Sequence, residues 1–481
     1  NIQVHEVITL GTATISAFGA IVDANGAGTA NVTAGTAVLT AGGAVELDTA
    51  VAVLGITNAG GAVTLREADG FALNAINAGT NAVSITLTTG AVTDNNNTTS
   101  LNIAGGALNI VAPGGISVDT TVTSVTASAS GNDISLRETN DLSVLTVNAG
   151  SGAVTITAQG QVTDGNGSGT TNITAGVANL TGANGLDLDT SVDLLSGGST
   201  NAAYTIRELN GLALGSVGAG SGAVSITVTV GALTDGNGSG TLNLTGGDVT
   251  LSAAGSIDAD TSAAILTATT SNSLITIRES DGLALNAVNA GTANVVVALA
   301  AGALTDNNLT ATNITGGLAT LTAPGGIDAD TAISSLTATA SAAVAVRNSG
   351  ALVVNSLDAG GGSVTLTLAA GALTENSDAG VDVTGGSVTI TAPGGIDLDT
   401  AIGNLAATTT NTAITVRETN GLALNAVNAG TATVTITLAA GAITDGNAGT
   451  VNITGGSATL TAPGGIDADL AVSTLTASSS N

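Results

Sequence analysis

Apolar residues alternate with threonine in short segments along the whole chain, and the clearest examples lie between positions 388 and 436. Three segments there each place two apolar residues two positions apart, with threonine between them. Alternation with a period of two is typical of a strand with one buried face, and the Gly, Asn and Asp clusters that follow are typical of turns. The pattern predicts outward-facing threonines, such as Thr389 and Thr435. The predicted inward-facing residues are Val388, Ile390, Ile414, Val416, Val434 and Ile436.

This stretch recurs along the chain with a period of about 70 residues. The arginines show the period most clearly: Arg66, Arg137, Arg207, Arg278, Arg347 and Arg417. One aspartate of a GIDxD-like element follows the same period: Asp48, Asp119, Asp189, Asp260, Asp330, Asp399 and Asp469. A fixed period of this length indicates a repeat architecture. The predicted units are 1–65 (partial), 66–136, 137–206, 207–277, 278–346, 347–416 and 417–481 (partial).

Each repeat divides into three sub-units of 26, 20 and 24 residues that share the strand-and-turn pattern. We interpret each sub-unit as one coil with three strands and three corners, so that a repeat makes three coils. The prediction is an all-β parallel β-helix, or β-solenoid, of about 20 coils that forms a single domain over residues 1–481. A solenoid has no upper limit of length, because each coil contacts only its neighbours. Helices are not expected, because Gly and β-branched residues interrupt every candidate segment.

Composition excludes several classes of function. The formal net charge is −29 and the chain contains no Lys, so it lacks the basic surface that nucleic acids or anionic lipids require. No apolar run approaches the roughly 20 residues of a spanning helix, so membrane insertion is not expected. The absence of Cys fits a cytosolic protein and also a bacterial exported protein that crosses membranes unfolded.

The segments VTITAPGGI and VTITLAAGAI, in a chain without Lys or Cys, resemble repeats of filamentous-haemagglutinin-like and related giant β-strand-repeat exoproteins of bacteria. The resemblance covers nearly the whole chain. It implies a right-handed β-helix, secretion to the extracellular space or cell surface of a bacterium, and a role as surface fibre or adhesin.

We expect a structural repeat protein that forms a segment of an extracellular filament, stalk or matrix fibre. The alternative is a surface adhesin that binds a ligand on a host or neighbouring cell, and a more remote one is an ice-binding array of outward threonines. Neither end of the chain shows a polar cap, so open strand edges are expected to stack end to end or to continue in a longer parent chain. The expected partner is therefore another copy of this chain.

Acidic turns are the first candidate sites for chemistry. One acidic residue recurs in each repeat: Asp23, Asp94, Asp164, Asp235, Asp306, Glu375 and Asp445. Asn follows two residues later in all but one. Oxygen-rich turns can hold Ca²⁺, but Asp and Asn also favour tight corners without any ion, and this alternative is the stronger one. The candidate ligands of a weak calcium site are Asp164, Asn166, Asp235, Asn237, Asp445 and Asn447. No other cofactor is expected.

Each Arg is followed by Glu, except Arg347, which Asn348 follows. Alternation places Arg417 outward and turns Glu418 toward the corner, where a carboxylate could accept backbone N–H bonds from its own turn. Arg417 would then contribute to the structure of its own chain or join an aspartate of a neighbouring filament. Repetition in six units favours the structural role for the arginine and aspartate columns.

Catalysis is not expected, because an active site needs a cluster of acid, base and positioning groups that occurs once. Every charged residue type here instead recurs at the repeat spacing. Asn-x-Thr occurs at Asn31, Asn172, Asn243, Asn313 and Asn452. It matches the glycosylation sequon, but the repeat period explains it better.

Overall fold

The computed structural model describes residues 1–58, 60–377 and 380–480. The chain is an all-β parallel β-solenoid of about 24 turns, and the described residues contain no helix. The predicted fold class is therefore confirmed, while the right-handed sense of winding stays a prediction. Since the described residues form no helix, they also offer none that is long and apolar enough to cross a membrane.

The solenoid divides into two compact units. Unit 1 comprises Asn1–Gly238 and Asn243–Gly247, and unit 2 comprises Ser239–Leu242 and Asp248–Asn481. The strands up to the end of unit 1 are β1 (Ile2–Val4), β2 (Val7–Ile8), β3 (Thr12–Ala17), β4 (Ile21–Asp23), β5 (Val32–Ala41), β6 (Val45–Asn58), β7 (Val63–Glu67), β8 (Phe71–Asn77), β9 (Val83–Leu87), β10 (Val92–Asp94), β11 (Ile103–Ala104), β12 (Ala107–Val111), β13 (Ile116–Thr121), β14 (Ser124–Ser128), β15 (Ile134–Glu138), β16 (Leu142–Asn148), β17 (Ala153–Ala158), β18 (Val162–Asp164), β19 (Ile173–Gly182), β20 (Leu186–Gly198), β21 (Tyr204–Glu208), β22 (Leu212–Gly218), β23 (Val224–Val228), β24 (Leu233–Asp235) and β25 (Leu244–Ala253).

The strands of unit 2 that follow are β26 (Ile257–Thr270), β27 (Ile275–Glu279), β28 (Leu283–Asn289), β29 (Val295–Leu299), β30 (Leu304–Asp306), β31 (Ile314–Thr322), β32 (Ile327–Thr339), β33 (Val344–Asn348), β34 (Leu352–Asp358), β35 (Val364–Leu368), β36 (Leu373–Glu375), β37 (Val383–Thr391), β38 (Ile396–Thr408), β39 (Ile414–Glu418), β40 (Leu422–Asn428), β41 (Thr433–Leu438), β42 (Ile443–Asp445), β43 (Ile453–Thr461) and β44 (Leu470–Ser478).

Most successive strands alternate between two parallel ladders, although β10 and β11 both pair with β8 and β13. In unit 1 the first ladder runs through β7, β9, β12, β14, β16, β18, β20 and β21. The second runs through β8, β10, β13, β15, β17, β19, β20 and β22. The long strand β20 therefore passes through both ladders. The turn that begins with β9 has the three strands that the sequence pattern predicted, β9, β10 and β11, whereas the next turn has only β12 and β13.

One sequence repeat makes three and a half turns, because seven strand pairings lead from β7, which carries Arg66, to β21, which carries Arg207 two repeats later. Arg137 lies between them in the chain, and its strand β15 belongs to the second ladder. In unit 2, seven pairings likewise lead from β27 to β39, which carry Arg278 and Arg417.

The predicted total of about 20 coils is close to the observed number of about 24 turns, and the difference arises because each repeat makes half a turn more than the three coils predicted. The assumed coil length of 20 to 26 residues was too long. Successive partners in the first ladder are Val63, Val83, Leu108 and Val125, which are 20, 25 and 17 residues apart.

The core consists of aliphatic side chains stacked from turn to turn. All six residues predicted to face inward are at most 1% exposed, which confirms the alternation. Thr389 and Thr437 are exposed, and Thr415 and Thr435 are partly exposed. Tyr204 is the largest fully buried side chain among the described residues, and its hydroxyl donates to the carbonyl oxygen of Leu180 at 3.2 Å.

Candidate functional site

Each repeat places its arginine against carboxylates from earlier turns, and we call this group the arginine cluster. In the third copy, Arg207 lies on β21 directly opposite Asp189 of β20. Its Nε donates to Asp189 Oδ1 at 2.7 Å, and its Nη1 donates to Asp187 Oδ1 at 2.5 Å. Its Nη2 lies 4.0 Å from Oδ2 of Asp164, which ends β18 in the turn before. One guanidinium thus connects three successive turns of the same ladder.

The other described clusters have the same arrangement. They pair Arg66 with Asp23, Glu46 and Asp48; Arg137 with Asp94 and Asp119; Arg278 with Asp258 and Asp260; Arg347 with Asp306, Asp328 and Asp330; and Arg417 with Glu375, Asp397 and Asp399. The arginine partners are therefore residues of the same chain, as the structural interpretation of these columns expected. Asp469, in the last copy, donates its backbone N–H to Asn452 Oδ1 at 2.6 Å.

Electrostatics favours the charged arginine in these clusters. Burial lowers the pKa of the Arg207 guanidinium, but its hydrogen bonds with Asp187 and Asp189 outweigh this and leave the pKa above its usual value. Three carboxylates around one guanidinium give a formal charge of −2, so the arginine offsets only part of the local negative charge. In the second copy Ser117 stands in the place of Asp187 and Arg137 keeps two carboxylate partners.

The acidic turn before each cluster is closed by its own hydrogen bonds. Asp164 Oδ1 accepts the backbone N–H groups of Asn166 and Gly167 at 2.9 Å each, and the side-chain amide of Asn172 at 3.0 Å. Burial raises the pKa of Asp164, but these hydrogen bonds, together with the charge of Arg207, bring it below its ordinary value. The carboxylate thus acts as a turn acceptor, which is the alternative that sequence reasoning favoured over a metal ligand.

Asn172 connects the acidic turn to the next turn of the solenoid through hydrogen bonds, and sequence reasoning missed this role. It is fully buried, its Nδ2 donates to the carbonyl oxygen of Val144 at 2.8 Å, and its Oδ1 accepts the backbone N–H of Asp189 at 2.7 Å. We call this position the asparagine lock; its copies are Asn31, Asn102, Asn172, Asn243, Asn313, Asp382 and Asn452. Their period was visible in the sequence. Burial of the amide makes these asparagines poor glycosylation acceptors in the folded chain.

The length of the loop determines whether the side-chain oxygen of the asparagine two residues after the acidic residue has a hydrogen-bond partner. Asn172 follows Asp164 by eight residues, and its amide also donates to Asn166 Oδ1 at 2.9 Å. Asn452 follows Asp445 by only seven residues. There the buried Asn447 Oδ1 has no hydrogen-bond partner among the described residues.

The six candidate calcium ligands thus form three separate corners with one carboxylate each. The corner of Asp235 and Asn237 resembles that of Asp164, with Asn237 Oδ1 accepting from Asn243 at 2.8 Å. The corner of Asp445 differs because Asn447 Oδ1 has no hydrogen-bond partner among the described residues. Calcium binding at these corners stays a prediction.

The glutamate after each arginine is buried, as the pattern predicted. Glu67 is 2% exposed and accepts the backbone N–H of Ala68 in its own turn at 3.0 Å. It also accepts the hydroxyl of Thr49 at 2.7 Å and the N–H of Val51 at 3.2 Å, both on the preceding turn, and sequence reasoning missed these partners. Burial raises the pKa of Glu67 to about 7, although the hydrogen bonds oppose this. In the fifth copy Asn348 Oδ1 accepts the corresponding hydroxyl of Thr331 at 2.9 Å.

A shallow cleft lies between the acidic loop and the Arg–Glu turn in several repeats. In the second copy Leu101, Arg137, Thr139 and Gln159 line it. Equivalent clefts adjoin Arg278, Arg347 and Arg417. Their recurrence makes them a feature of the repeat and not a single specialised pocket.

A family profile described as "Repeats of unknown function (DUF5649)" matches residues 340–413, which is about one repeat length. No curated protein and no solved structure matches the chain. The profile supports a repeat protein.

Proposed function

We propose that this chain is a structural segment of an extracellular filament, stalk or matrix fibre of a bacterial surface, as in filamentous-haemagglutinin-like exoproteins. The observation that carries the proposal is that the arginine clusters, asparagine locks and buried glutamates recur with the repeat and form bonds between adjacent turns of the chain. Groups committed to contacts between turns hold a solenoid together and are not arranged around a substrate. The chain therefore has no catalytic role in this proposal.

The bonds between turns are of the kind that a structural filament segment requires. Each turn is joined to the next by two parallel ladders, and every three and a half turns an arginine cluster, a lock and a buried glutamate join three turns through side chains. Parallel strands propagate by adding further turns, either from more repeats in one polypeptide or from another copy of the chain. Self-assembly is accordingly the partner interaction in this proposal.

Electron microscopy of the purified chain over a range of concentrations tests the assembly. We expect unbranched filaments whose length grows with concentration. A monodisperse single chain at the highest concentration would contradict self-assembly.

Labelling of producing cells with an antibody to the chain tests the location. We expect label on intact cells, with permeabilised cells as the control for total protein. Label that appears only after permeabilisation would contradict a surface fibre.

An adhesin is the second candidate, and the recurring cleft favours it. The cleft combines an apolar residue such as Leu101, which is 38% exposed, with a guanidinium whose side chain is 31% exposed in Arg137. Beads coated with the chain should then adhere to cells, and Leu101→Asp combined with its counterpart Leu242→Asp should reduce adhesion. A fibre without ligand-binding function predicts no difference between the two coatings.

A further inference from the structure

One repeat departs from the others at the asparagine lock, where Asp382 replaces asparagine. In the last copy, which has the same loop length, Asn452 shows what the position normally does. Its Nδ2 donates to the carbonyl oxygen of Leu424 at 2.7 Å and to Asp445 Oδ1 at 3.0 Å. Its Oδ1 accepts the backbone N–H of Asp469 at 2.6 Å. The lock thus needs one acceptor atom and one donor atom.

Asp382 retains the acceptor half of the lock. Its Oδ2 accepts the backbone N–H of Asp399 at 2.9 Å, and its carbonyl oxygen accepts the N–H of Leu357 at 2.6 Å. The other carboxylate oxygen therefore takes the place of the amide nitrogen. A carboxylate has no hydrogen to donate, whereas a carboxylic acid has one.

The surroundings of Asp382 are rich in acceptors. Glu375 occupies the place of Asp445, and one oxygen from each of Glu375, Asp382 and Asp399 lies within 4.8 Å of the others. The side chain of Asp382 is deeply buried, at 5% exposure for the residue. Two carboxylates this close and this buried cannot both ionise without a large electrostatic cost.

The charged groups near Asp382 come from four strands. Glu375 ends β36, Asp397 and Asp399 lie on β38, Arg417 lies on β39, and Asp358 ends β34. Arg417 is already shared among Glu375, Asp397 and Asp399. Asp358 is exposed and accepts the N–H of Gly360 at 2.8 Å. One guanidinium therefore faces four carboxyl groups when Asp382 is counted.

We propose that Asp382 is protonated and donates a hydrogen bond to Glu375, so that this copy of the lock is closed in acid and opens as the pH rises. The shared proton replaces the amide hydrogen that asparagine supplies in the other copies. On release the proton passes to solvent, and the two carboxylates then repel each other across the lock. This gives one lock a titrating group, whereas the asparagines at the other copies of the lock do not titrate.

The sign of the effect follows from burial. Burial is the main cause that raises the pKa of Asp382 above its ordinary value. A group with a raised pKa in the folded state stabilises the fold fully in acid, and this stabilisation is lost as the pH rises through the folded-state pKa. Opening of this lock should therefore become easier by up to about tenfold per pH unit until that pKa is passed.

Hydrogen exchange of the full chain tests the proposal, with Asp382→Asn as the variant that restores the asparagine of the other copies. Amide protection in 354–358 and 396–400 is compared at pH 5, 6, 7 and 8 after correction for intrinsic exchange rates. We expect the ratio of protection in Asp382→Asn to that in the wild type to rise with pH, by up to about tenfold per pH unit below the folded-state pKa of Asp382. A ratio that is independent of pH would overturn the proposal.

The reciprocal variant Asn313→Asp places a carboxyl group at the lock of the fifth copy, which has the same loop length. It should introduce a loss of protection with rising pH around 306–330 and leave 396–400 unchanged. Addition of CaCl₂ at pH 8 distinguishes a bound cation. If Ca²⁺ restores wild-type protection and NaCl of equal ionic strength does not, a metal and not a proton occupies the lock, and the proposal fails.

Discussion

Arg207 and Asp189 face each other across adjacent turns, with the guanidinium Nε 2.7 Å from the carboxylate Oδ1 although 18 residues separate them in sequence. The pair is partly shielded, since the aspartate side chain is 8% exposed and the arginine side chain 31%. The same contact recurs at Arg66 and Asp48 with 2.6 Å. It is the central contact of each arginine cluster.

Removal of this guanidinium should destabilise the repeat locally. Arg207→Gln leaves Asp164, Asp187 and Asp189 close together without a counter-charge, which we expect to cost about 1–3 kcal/mol of local opening free energy. The matched control is Asp187→Ser, which copies Ser117 of the second repeat and removes a half-exposed partner, so its effect should stay below about 1 kcal/mol. Hydrogen exchange in 186–208 measures both, and equal effects would show that the guanidinium has no special role.

The core predicts damage that stays local. Ile390 is 1% exposed and pairs with Leu366 and Ala407 on the adjacent turns. Ile390→Asp buries a charge at a cost of several kcal/mol. Since each turn contacts only its neighbours, protection should be lost around 364–408 but kept in distant repeats. The control Thr389→Asp alters an exposed neighbour and should be nearly neutral, whereas loss of protection throughout unit 2 would show that its turns unfold together.

The period-two pattern was sufficient to predict strands, buried residues and the repeat, because strand alternation and repeat length are local properties of sequence. It predicted the total number of turns closely but missed the additional half turn in each repeat. Both ladders are built from the same apolar–threonine alternation, so the sequence does not show that Arg66 and Arg137 belong to different ladders. The role of the asparagine lock could not be predicted for another reason. Asn172 accepts a hydrogen bond from the backbone N–H of Asp189, 17 residues away. This contact depends on the register between adjacent strands, which the turn residues alone do not specify.

The buried glutamates predict a stability that falls as the pH rises. Burial raises the pKa of Glu67 from 4.5 to about 7, so the folded state favours its acid form. The stabilisation is complete below about pH 4.5 and is lost as the pH rises to about 7, with a slope of at most about 1.4 kcal/mol per pH unit. Glu67→Gln should abolish this pH dependence of the free energy of opening, measured in residues 45–67. The fifth copy, where Asn348 occupies the position, is an internal control and should show no such slope; a slope that persists in Glu67→Gln would exclude Glu67 as its source.

The shortened loop of the fifth copy predicts a stabilising substitution. Leu309 is 85% exposed and adopts a φ of 66°, a left-handed conformation that costs a residue with a Cβ about 1–2 kcal/mol. Leu309→Gly removes this strain, partly offset by the greater freedom of glycine when unfolded, for a net gain of roughly 0.5–1 kcal/mol. The converse control is Gly167→Ala, at a φ of 88° with open space around its added Cβ. Local hydrogen exchange should become slower in Leu309→Gly and faster in Gly167→Ala.

Calcium is the last prediction, and the structure makes the corner of Asp445 and Asn447 the best candidate of the three. Ca²⁺ binds hard oxygen ligands, and a strongly negative chain attracts it. Asn166 Oδ1 and Asn237 Oδ1 already accept an amide, whereas the buried Asn447 Oδ1 has no partner among the described residues. Ca²⁺ should therefore raise the melting temperature, and Asp445→Asn should reduce this effect more than Asp164→Asn does. The melts compare CaCl₂, chelator and NaCl of matched ionic strength. If NaCl stabilises the chain as well as CaCl₂ does, screening explains the whole effect and the acidic corners are only turns.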